Sequence, residues 1–176
     1  PIVCDPVLLY RGGKFTVPIK KIGKKYLLVY SYDRNMVDKE EIYNIKYYAK
    51  KHRLITVSLG TYHKWCDKNI VCNAQEWYSY FKYAECVVTD TFHGSVVAIK
   101  NHCNVAVFIR ESINAFKLES LLKETGLQSR RLKRVSVKNL EYVLSQPIDY
   151  EKVDKNIEDA LIVSKQYLSK ALEKIL

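Results

Sequence analysis

The side chains best suited to chemistry lie together, between two apolar runs of the sequence. Residues 86–88 form an apolar run, a polar stretch follows, and a second apolar run covers 105–109. An apolar segment of helical length separates them, and the order strand, turn, helix, strand is typical of a βαβ unit. The polar stretch carries hydroxyls, one carboxylate and one imidazole, on Thr89, Asp90, Thr91, His93 and Ser95.

In a parallel α/β sheet, ligands bind where a strand gives way to a helix. The free N–H groups and the positive dipole end of that helix suit an anion such as phosphate. His93 is therefore a candidate general acid, or a cation that binds phosphate. Simpler roles stay open, with His93 and Asp90 as helix caps and Gly94 as a site of close packing. Neither a dinucleotide fingerprint nor a P-loop lysine is present.

Other elements follow from hydrophobic periodicity and from turn signals. We expect strands at 26–30 and 54–59, a long polar loop at 61–73, and helices at 38–51, 74–84, 114–125, 137–144 and 150–175. Gly126 should end the helix at 114–125, and Ser136 should cap the helix at 137–144. The alternation of about four strands with helices predicts an α/β fold, a Rossmann-like three-layer α/β/α domain with a mainly parallel sheet.

Three segments are expected along the chain. Residues 1–24, with breakers such as Gly12, Gly13 and Pro18, look like a connector from a missing N-terminal domain. Residues 25–149 are the Rossmann-like domain. The amphipathic helix at 150–176 should pack on that domain or on the missing one.

The chain of 176 residues carries a net charge of +10, which favours anionic partners such as nucleic acid, phosphorylated metabolites or an acidic membrane surface. The densest basic cluster is 130–134, and we expect it to be a solvated face. No signature of a nucleic-acid module is present, so no specific nucleic acid is expected. No apolar run approaches the ~20 residues of a membrane-spanning helix.

Five cysteines are present without a C-x-x-C pair. Cys86 and Cys103 lie in apolar runs and are expected to be small core residues. Cys66 and Cys72 flank a loop with His63 nearby, but their spacing fits no standard zinc pattern. We therefore expect no metal, and a reducing compartment.

The run VVTDTFHGSVVAI at 87–99 resembles the signature of the polysaccharide pyruvyl transferase family, which carries T-D-[S/R]-[F/L]-H-G after an apolar strand. Further pieces resemble the same family in the same order. Residues 5–9 are similar to its D-P-T-L-L segment, 25–30 to the first strand of its C-terminal half, and 117–122 with Gly126, Leu127 and Arg130 to a later R-[I/L]-x-x-L-L…G-L-x-x-R stretch.

The resemblance implies the C-terminal half of a GT-B-like enzyme, with two Rossmann-like halves facing a cleft. It implies transfer of a pyruvyl group from phosphoenolpyruvate to a sugar, as a cyclic ketal, in capsular or exopolysaccharide biosynthesis. His93 would be catalytic, and donor or acceptor contacts would come from Thr89, Asp90, Thr91, Gly94, Ser95, Arg110 and Lys117. Better-characterised branches have a donor-binding arginine where this chain has Thr91. Lys117 stands where a later arginine usually stands.

The implied partners are phosphoenolpyruvate, a glycan or lipid-linked saccharide acceptor, and the missing N-terminal domain, with no cofactor. The implied location is the cytoplasm, with the inner membrane face and its anionic surface as a further candidate. Because each half of a two-domain cleft supplies part of the site, we expect the isolated chain to be inactive. Two alternatives stay open, a GT-B glycosyltransferase with a nucleotide-sugar donor and a non-catalytic basic binding domain.

Overall fold

The computed structural model describes residues 4–9, 22–111 and 115–173. Six parallel strands form one sheet in the order β3-β2-β1-β4-β5-β6. Their bounds are β1 Tyr26–Tyr30, β2 Ile55–Leu59, β3 Lys68–Ile70, β4 Cys86–Thr89, β5 Val105–Phe108 and β6 Arg131–Leu132. The strand order reverses between β1 and β4, which makes their carboxyl ends the topological switch point of the sheet.

Helices cover both faces of the sheet. Their bounds are α1 Pro6–Leu9, α2 Lys39–Lys51, α3 Ala74–Lys82, α4 Phe92–Lys100, α5 Ala115–Thr125, α6 Val137–Ser145 and α7 Tyr150–Leu172. Helices α2 and α6 bury their apolar residues against one face, and α1, α3, α4, α5 and α7 cover the other. Strands buried on both faces need continuous apolar runs, as in β4 and β5. The predicted α/β three-layer fold is confirmed.

Local signals set where the helices begin and end. Asp38 caps α2 by accepting the N–H groups of Glu40 and Glu41, and Ser136 caps α6, as predicted. Gly126 ends α5 with a φ of +77°, a conformation that side chains disfavour.

Two strands were not predicted. β3 lies within 61–73, expected to be a loop, and β6 lies within the basic cluster. Both are short polar edge strands, so neither carries an apolar pattern of its own. Strand β3 is defined by its backbone pairing with β2, and β6 by its pairing with β5. Pairing between distant segments cannot be predicted from the residues of one segment.

The cysteines that flank that loop are separated by the sheet. Cys66 is buried in the core beneath α2, whereas Cys72 packs against the core on the opposite face. The two thiols therefore cannot ligate one ion. Cys86 and Cys103 are buried core residues, as predicted.

The expectation of a solvated face at 130–134 is wrong for Arg130, which is 1% exposed. Its guanidinium donates to the carbonyl oxygens of Val143 (2.6 Å) and Pro147 (3.0 Å), and to Asn104 Oδ1 (3.2 Å). Burial lowers the pKa of this guanidinium. It satisfies carbonyl groups at the end of α6 that helix geometry leaves without partners.

Helix α7 packs on this domain. Val153 is buried in the core, the Tyr150 hydroxyl donates to the Cys103 carbonyl, and the Asn156 amide donates to the Thr125 carbonyl (3.2 Å). Further contact with a missing domain, and the boundaries at 24 and 149, stay predictions. Within 1–24, residues 6–9 form one helical turn rather than irregular chain, and Gly12, Gly13 and Pro18 lie outside the described residues. Within the described residues, no helix is long and apolar enough to cross a membrane.

Replacing Arg130 should destabilise the fold strongly. Arg130→Met would leave the buried Val143 carbonyl and the partly buried acceptors on Pro147 and Asn104 without this donor, at a cost of up to about 1–3 kcal/mol each. We expect the free energy of unfolding to fall by at least about 3 kcal/mol, measured by urea denaturation followed by circular dichroism. Arg131→Met, which removes only a surface pair with Glu119, is the control and should cost less than about 1 kcal/mol. Equal midpoints for both variants would contradict this role.

Candidate functional site

A cleft of about 490 Å³ opens at the carboxyl edge of the sheet, where the strand order reverses. Its walls come from segments that follow four neighbouring strands, β3, β2, β1 and β4, and from α1, α3 and α4. The lining residues are Val7, Tyr30, Ser31, Tyr32, Gly60, Thr61, Cys72, Asn73, Ala74, Trp77, Thr91, His93 and Val97. This is the position at which open α/β sheets bind ligands.

Close contact between α4 and the sheet forms the inner wall of the cleft. Gly94 lies so near the strand ends that a Cβ atom there would come within 2.5 Å of Thr89 Oγ1, Thr91 Oγ1 and Tyr30 Cδ1. The Tyr30 ring is itself held edge-on by Trp77 and Phe81, with centroids 5.3 and 5.6 Å away. Gly94 is therefore a packing residue, one of the simpler roles left open by the sequence.

Thr91 begins the helix. Its hydroxyl accepts the Gly94 N–H (3.1 Å) and bonds to the Thr89 hydroxyl (3.0 Å), which in turn donates to the Tyr30 carbonyl (2.7 Å). The cap is therefore Thr91 rather than Asp90, and residues 92–95 form the first helical turn rather than a turn before the helix. Ser95 is buried, and its hydroxyl donates to the Thr91 carbonyl (2.8 Å).

His93 lies in that first turn, exposed, and lines the cleft. Among the described residues, its imidazole has no hydrogen-bond partner, and its ring lies edge-on to that of Phe92, 5.8 Å between centroids. The backbone N–H groups of Phe92 and His93 are also unpaired within this part of the chain, as expected for a helix N-terminus. The imidazole and two N–H donors are thus available to one ligand.

Asp90 and Arg110 belong to a separate ion-pair network. Arg110 Nε donates to Asp90 Oδ2 (2.8 Å), and its two terminal nitrogens donate to the Glu41 carboxylate (3.2 and 2.8 Å). Asn35 adds a donor to the same Asp90 oxygen (2.9 Å). Burial works to lower the pKa of Arg110, but the hydrogen bonds to Glu41 and Asp90 outweigh it and raise that pKa. Arg110 therefore makes a bidentate contact, but the carboxylate that it binds belongs to Glu41 of its own domain.

The structure brings only some of the predicted site residues to the cleft. Thr91 and His93 line it; Thr89, Gly94 and Ser95 lie directly behind. Asp90 and Arg110 form the neighbouring network, and Lys117 is exposed on α5, outside the cleft lining.

Sequence reasoning missed the aromatic and polar wall of Tyr30, Tyr32, Asn73 and Trp77. Of these, only Tyr30 and Tyr32 could have been predicted, because Tyr30 ends a predicted strand and Tyr32 follows it. The missed Cys72 is a poor nucleophile, because burial and then Glu76 raise the pKa of its thiol.

A family model described as polysaccharide pyruvyl transferase matches residues 1–112. That match covers more than half of the 176 residues and contains the whole cleft lining.

The chain belongs to the polysaccharide pyruvyl transferase family. No curated protein matches the sequence. Family membership makes this cleft the candidate site of a transferase. The match ends before residues 117–131, so the likeness to the family's later stretch rests on the sequence motif alone. The buried contacts of Arg130 give a structural reason for an arginine at that place.

Adding one methyl group at Gly94 should disrupt the site. Inside an ordinary helix, Gly→Ala stabilises by up to about 1 kcal/mol. Here the new Cβ would meet three atoms at 2.5 Å, so we expect Gly94→Ala to destabilise by about 2 kcal/mol or more, measured by thermal unfolding. Gln75→Ala, at an exposed helical position, is the control and should change stability by less than about 0.5 kcal/mol. A neutral or stabilising Gly94→Ala would refute the close contact.

Proposed function

We propose that this chain is the C-terminal half of a pyruvyl transferase that moves a pyruvyl group from phosphoenolpyruvate to a pair of sugar hydroxyls. The product is a cyclic ketal on a saccharide of a capsule or exopolysaccharide. Family membership supports the class of reaction. The observation that carries the proposal is His93, unpaired within the described structure, on the first turn of α4 at the switch-point cleft.

His93 is suited to supply the proton. The other titratable groups of the cleft lining are Tyr30, Tyr32 and Cys72. Burial raises the pKa of Tyr30, with a smaller effect from Tyr32, and burial also raises the pKa of Cys72. Both groups therefore hold their protons near neutral pH, whereas a histidine can donate and recover one there.

The proposed reaction begins with proton transfer from His93 to the methylene carbon of phosphoenolpyruvate. The resulting oxocarbenium-like carbon is attacked by one sugar hydroxyl, which loses its proton. The C–O bond to phosphate then breaks, and the second hydroxyl attacks the same carbon to close the ketal. Two hydroxyl protons are released; one restores His93 and the other leaves with inorganic phosphate.

The donor's negative charge needs partners. The described cleft walls hold no lysine or arginine, and Arg110 is already paired with two carboxylates. The unpaired N–H groups of Phe92 and His93, at the positive end of α4, suit one anionic group of the donor. We assign the rest of the charge to residues supplied by an N-terminal half of the same enzyme.

Changing His93 should abolish turnover without unfolding the protein. In the full-length protein, His93→Gln should lower kcat by about 10²–10⁴-fold, the usual contribution of a general acid. The measurement is phosphate release from phosphoenolpyruvate in the presence of a saccharide acceptor. His102→Gln is the control, because His102 is also exposed but lies at the opposite end of α4. Full activity in His93→Gln would exclude the catalytic role.

The donor itself can be tested by calorimetry on the full-length protein. We expect phosphoenolpyruvate to bind and nucleotide sugars not to bind. Binding of a nucleotide sugar alone would favour a glycosyltransferase. The isolated 176 residues should show no turnover, and activity in them would contradict a site shared between two halves.

A further inference from the structure

Helix α2 presents a basic and aromatic face to solvent. Lys39, Tyr43, Lys46, Tyr47 and Lys50 follow the spacing i, i+4, i+7, i+8, i+11, which places them on one side of the helix. Tyr43 and Tyr47 are 64% and 49% exposed, and their ring centroids lie 6.0 Å apart. Large apolar rings at the surface, side by side and flanked by cations, are unusual unless they bind something.

The acidic side chains of α2 point away from this face into ion pairs. Glu40 is bonded to Arg134 (2.6 Å) and Glu41 to Arg110 (2.8 Å). By contrast, Lys39, Lys46 and Lys50 form no salt bridge with any residue that the structure describes. Both carboxylates of α2 are thus paired within the domain. Of its four lysines, only Lys51 is paired with a described residue, Glu141 (3.0 Å), which leaves Lys39, Lys46 and Lys50 for an external anion.

This face borders a groove of about 1100 Å³ between α2 and the N-terminal end of β2. Apolar groups from Ile42, Ala49, Leu54 and Ile55 line it beneath the tyrosines and lysines. Asp67 also lines it, but its carboxylate accepts the N–H (2.8 Å) and hydroxyl (2.9 Å) of Thr56. The volume lies near the upper end of the ~300–1,000 Å³ range of small-molecule sites, which is large enough for more than one sugar ring.

We propose that this α2 groove binds an acidic saccharide chain, through tyrosine rings on the sugar faces and lysines on the carboxylates. The inference rests on the proposed function, because ketal formation with pyruvate adds a carboxylate to the sugar that it modifies. A chain already modified would therefore carry acidic groups. The groove lies on the α2 face of the sheet, opposite the α3 and α4 helices that line the cleft, so it would hold a part of the saccharide chain remote from the reacting sugar.

The concave shape distinguishes this occupant from a bilayer. A membrane surface is flat on this scale and would contact the ridge of α2 while leaving the apolar floor of the groove empty. Single-stranded nucleic acid also binds to surfaces that combine aromatic rings with cations, so it is the competing ligand in the experiment.

The probe is a soluble polysaccharide with pyruvate ketals, compared with the same polymer after mild-acid removal of the ketals. Binding to the 176-residue chain is measured by calorimetry at low and at physiological salt. We expect the ketal-bearing polymer to bind more tightly, and more salt to weaken it, because exposed charge pairs are screened. Tyr43→Gln with Tyr47→Gln, and separately Lys46→Gln with Lys50→Gln, should each weaken binding about tenfold. Glutamine is a good helix former, so α2 should persist in these variants.

Helix α6 offers a matched control. Lys138 and Tyr142 repeat the i, i+4 spacing of Lys39 and Tyr43, and both are exposed. Lys138→Gln with Tyr142→Gln should leave polymer binding unchanged. Equal binding of the two polymers, or loss of binding in the α6 variant to the same degree, would overturn the proposal. The proposal would also be overturned if the protein bound no polymer but bound phosphatidylglycerol vesicles or a thymidine oligonucleotide, and if the α2 variants weakened that binding.

A turnover measurement distinguishes saccharide binding in the α2 groove from the proposed transferase reaction. With a short neutral acceptor, the α2 variants of the full-length protein should release phosphate at the wild-type rate. Polymer binding that depends on α2, in a protein with no turnover at all, would keep the groove and exclude the transferase reaction. Turnover in a protein that binds the two polymers equally would keep the transferase reaction and exclude saccharide binding in the groove.

Discussion

Gly94 has to lie against the Tyr30 ring and the hydroxyls of Thr89 and Thr91, and the candidate site depends on that contact. It brings the first turn of α4 directly onto the ends of β1 and β4. Any side chain at Gly94 would push the helix away from the sheet. The chain of hydroxyls from Thr91 through Thr89 to the Tyr30 carbonyl then holds the helix start in place. His93 is exposed over the cleft because its neighbour cannot be larger than glycine.

Several arginines of the domain are paired internally, whereas several lysines, within the described ranges, are not. Arg110, Arg130, Arg131 and Arg134 all pair with groups of this domain, whereas Lys39, Lys46 and Lys50 form no salt bridge with any described residue. A planar guanidinium can satisfy several acceptors in fixed directions, so it suits internal networks. The lysine ammonium is more strongly hydrated, and Lys39, Lys46 and Lys50 are all exposed. Several exposed lysines lack a salt bridge in the described residues, and those of α2 differ from the others because they flank two exposed tyrosines, Tyr43 and Tyr47.

Most of the fold was predictable, because the inner strands and main helices are encoded by local patterns. Apolar runs predicted β1, β2, β4 and β5, and helical spacing predicted α2 to α7. The edge strands β3 and β6 were missed, since backbone pairing with a neighbour defines them. Within the site, the position of His93 at a strand-to-helix junction followed from the sequence. The partners of Arg110 did not, because Glu41 and Asp90 are distant in sequence from it and from each other.

By itself, the sequence determined the α/β class, the motif TDTFHG at a strand end and the likeness to a transferase family. Those properties are carried by residues that are neighbours along the chain. Only the tertiary structure decided which charged groups are free. It buried Arg130, paired Arg110 with two carboxylates, left Lys117 outside the cleft, and placed Trp77 and Tyr32 beside His93. Charge pairing and burial depend on contacts between distant segments, and no local pattern records those contacts.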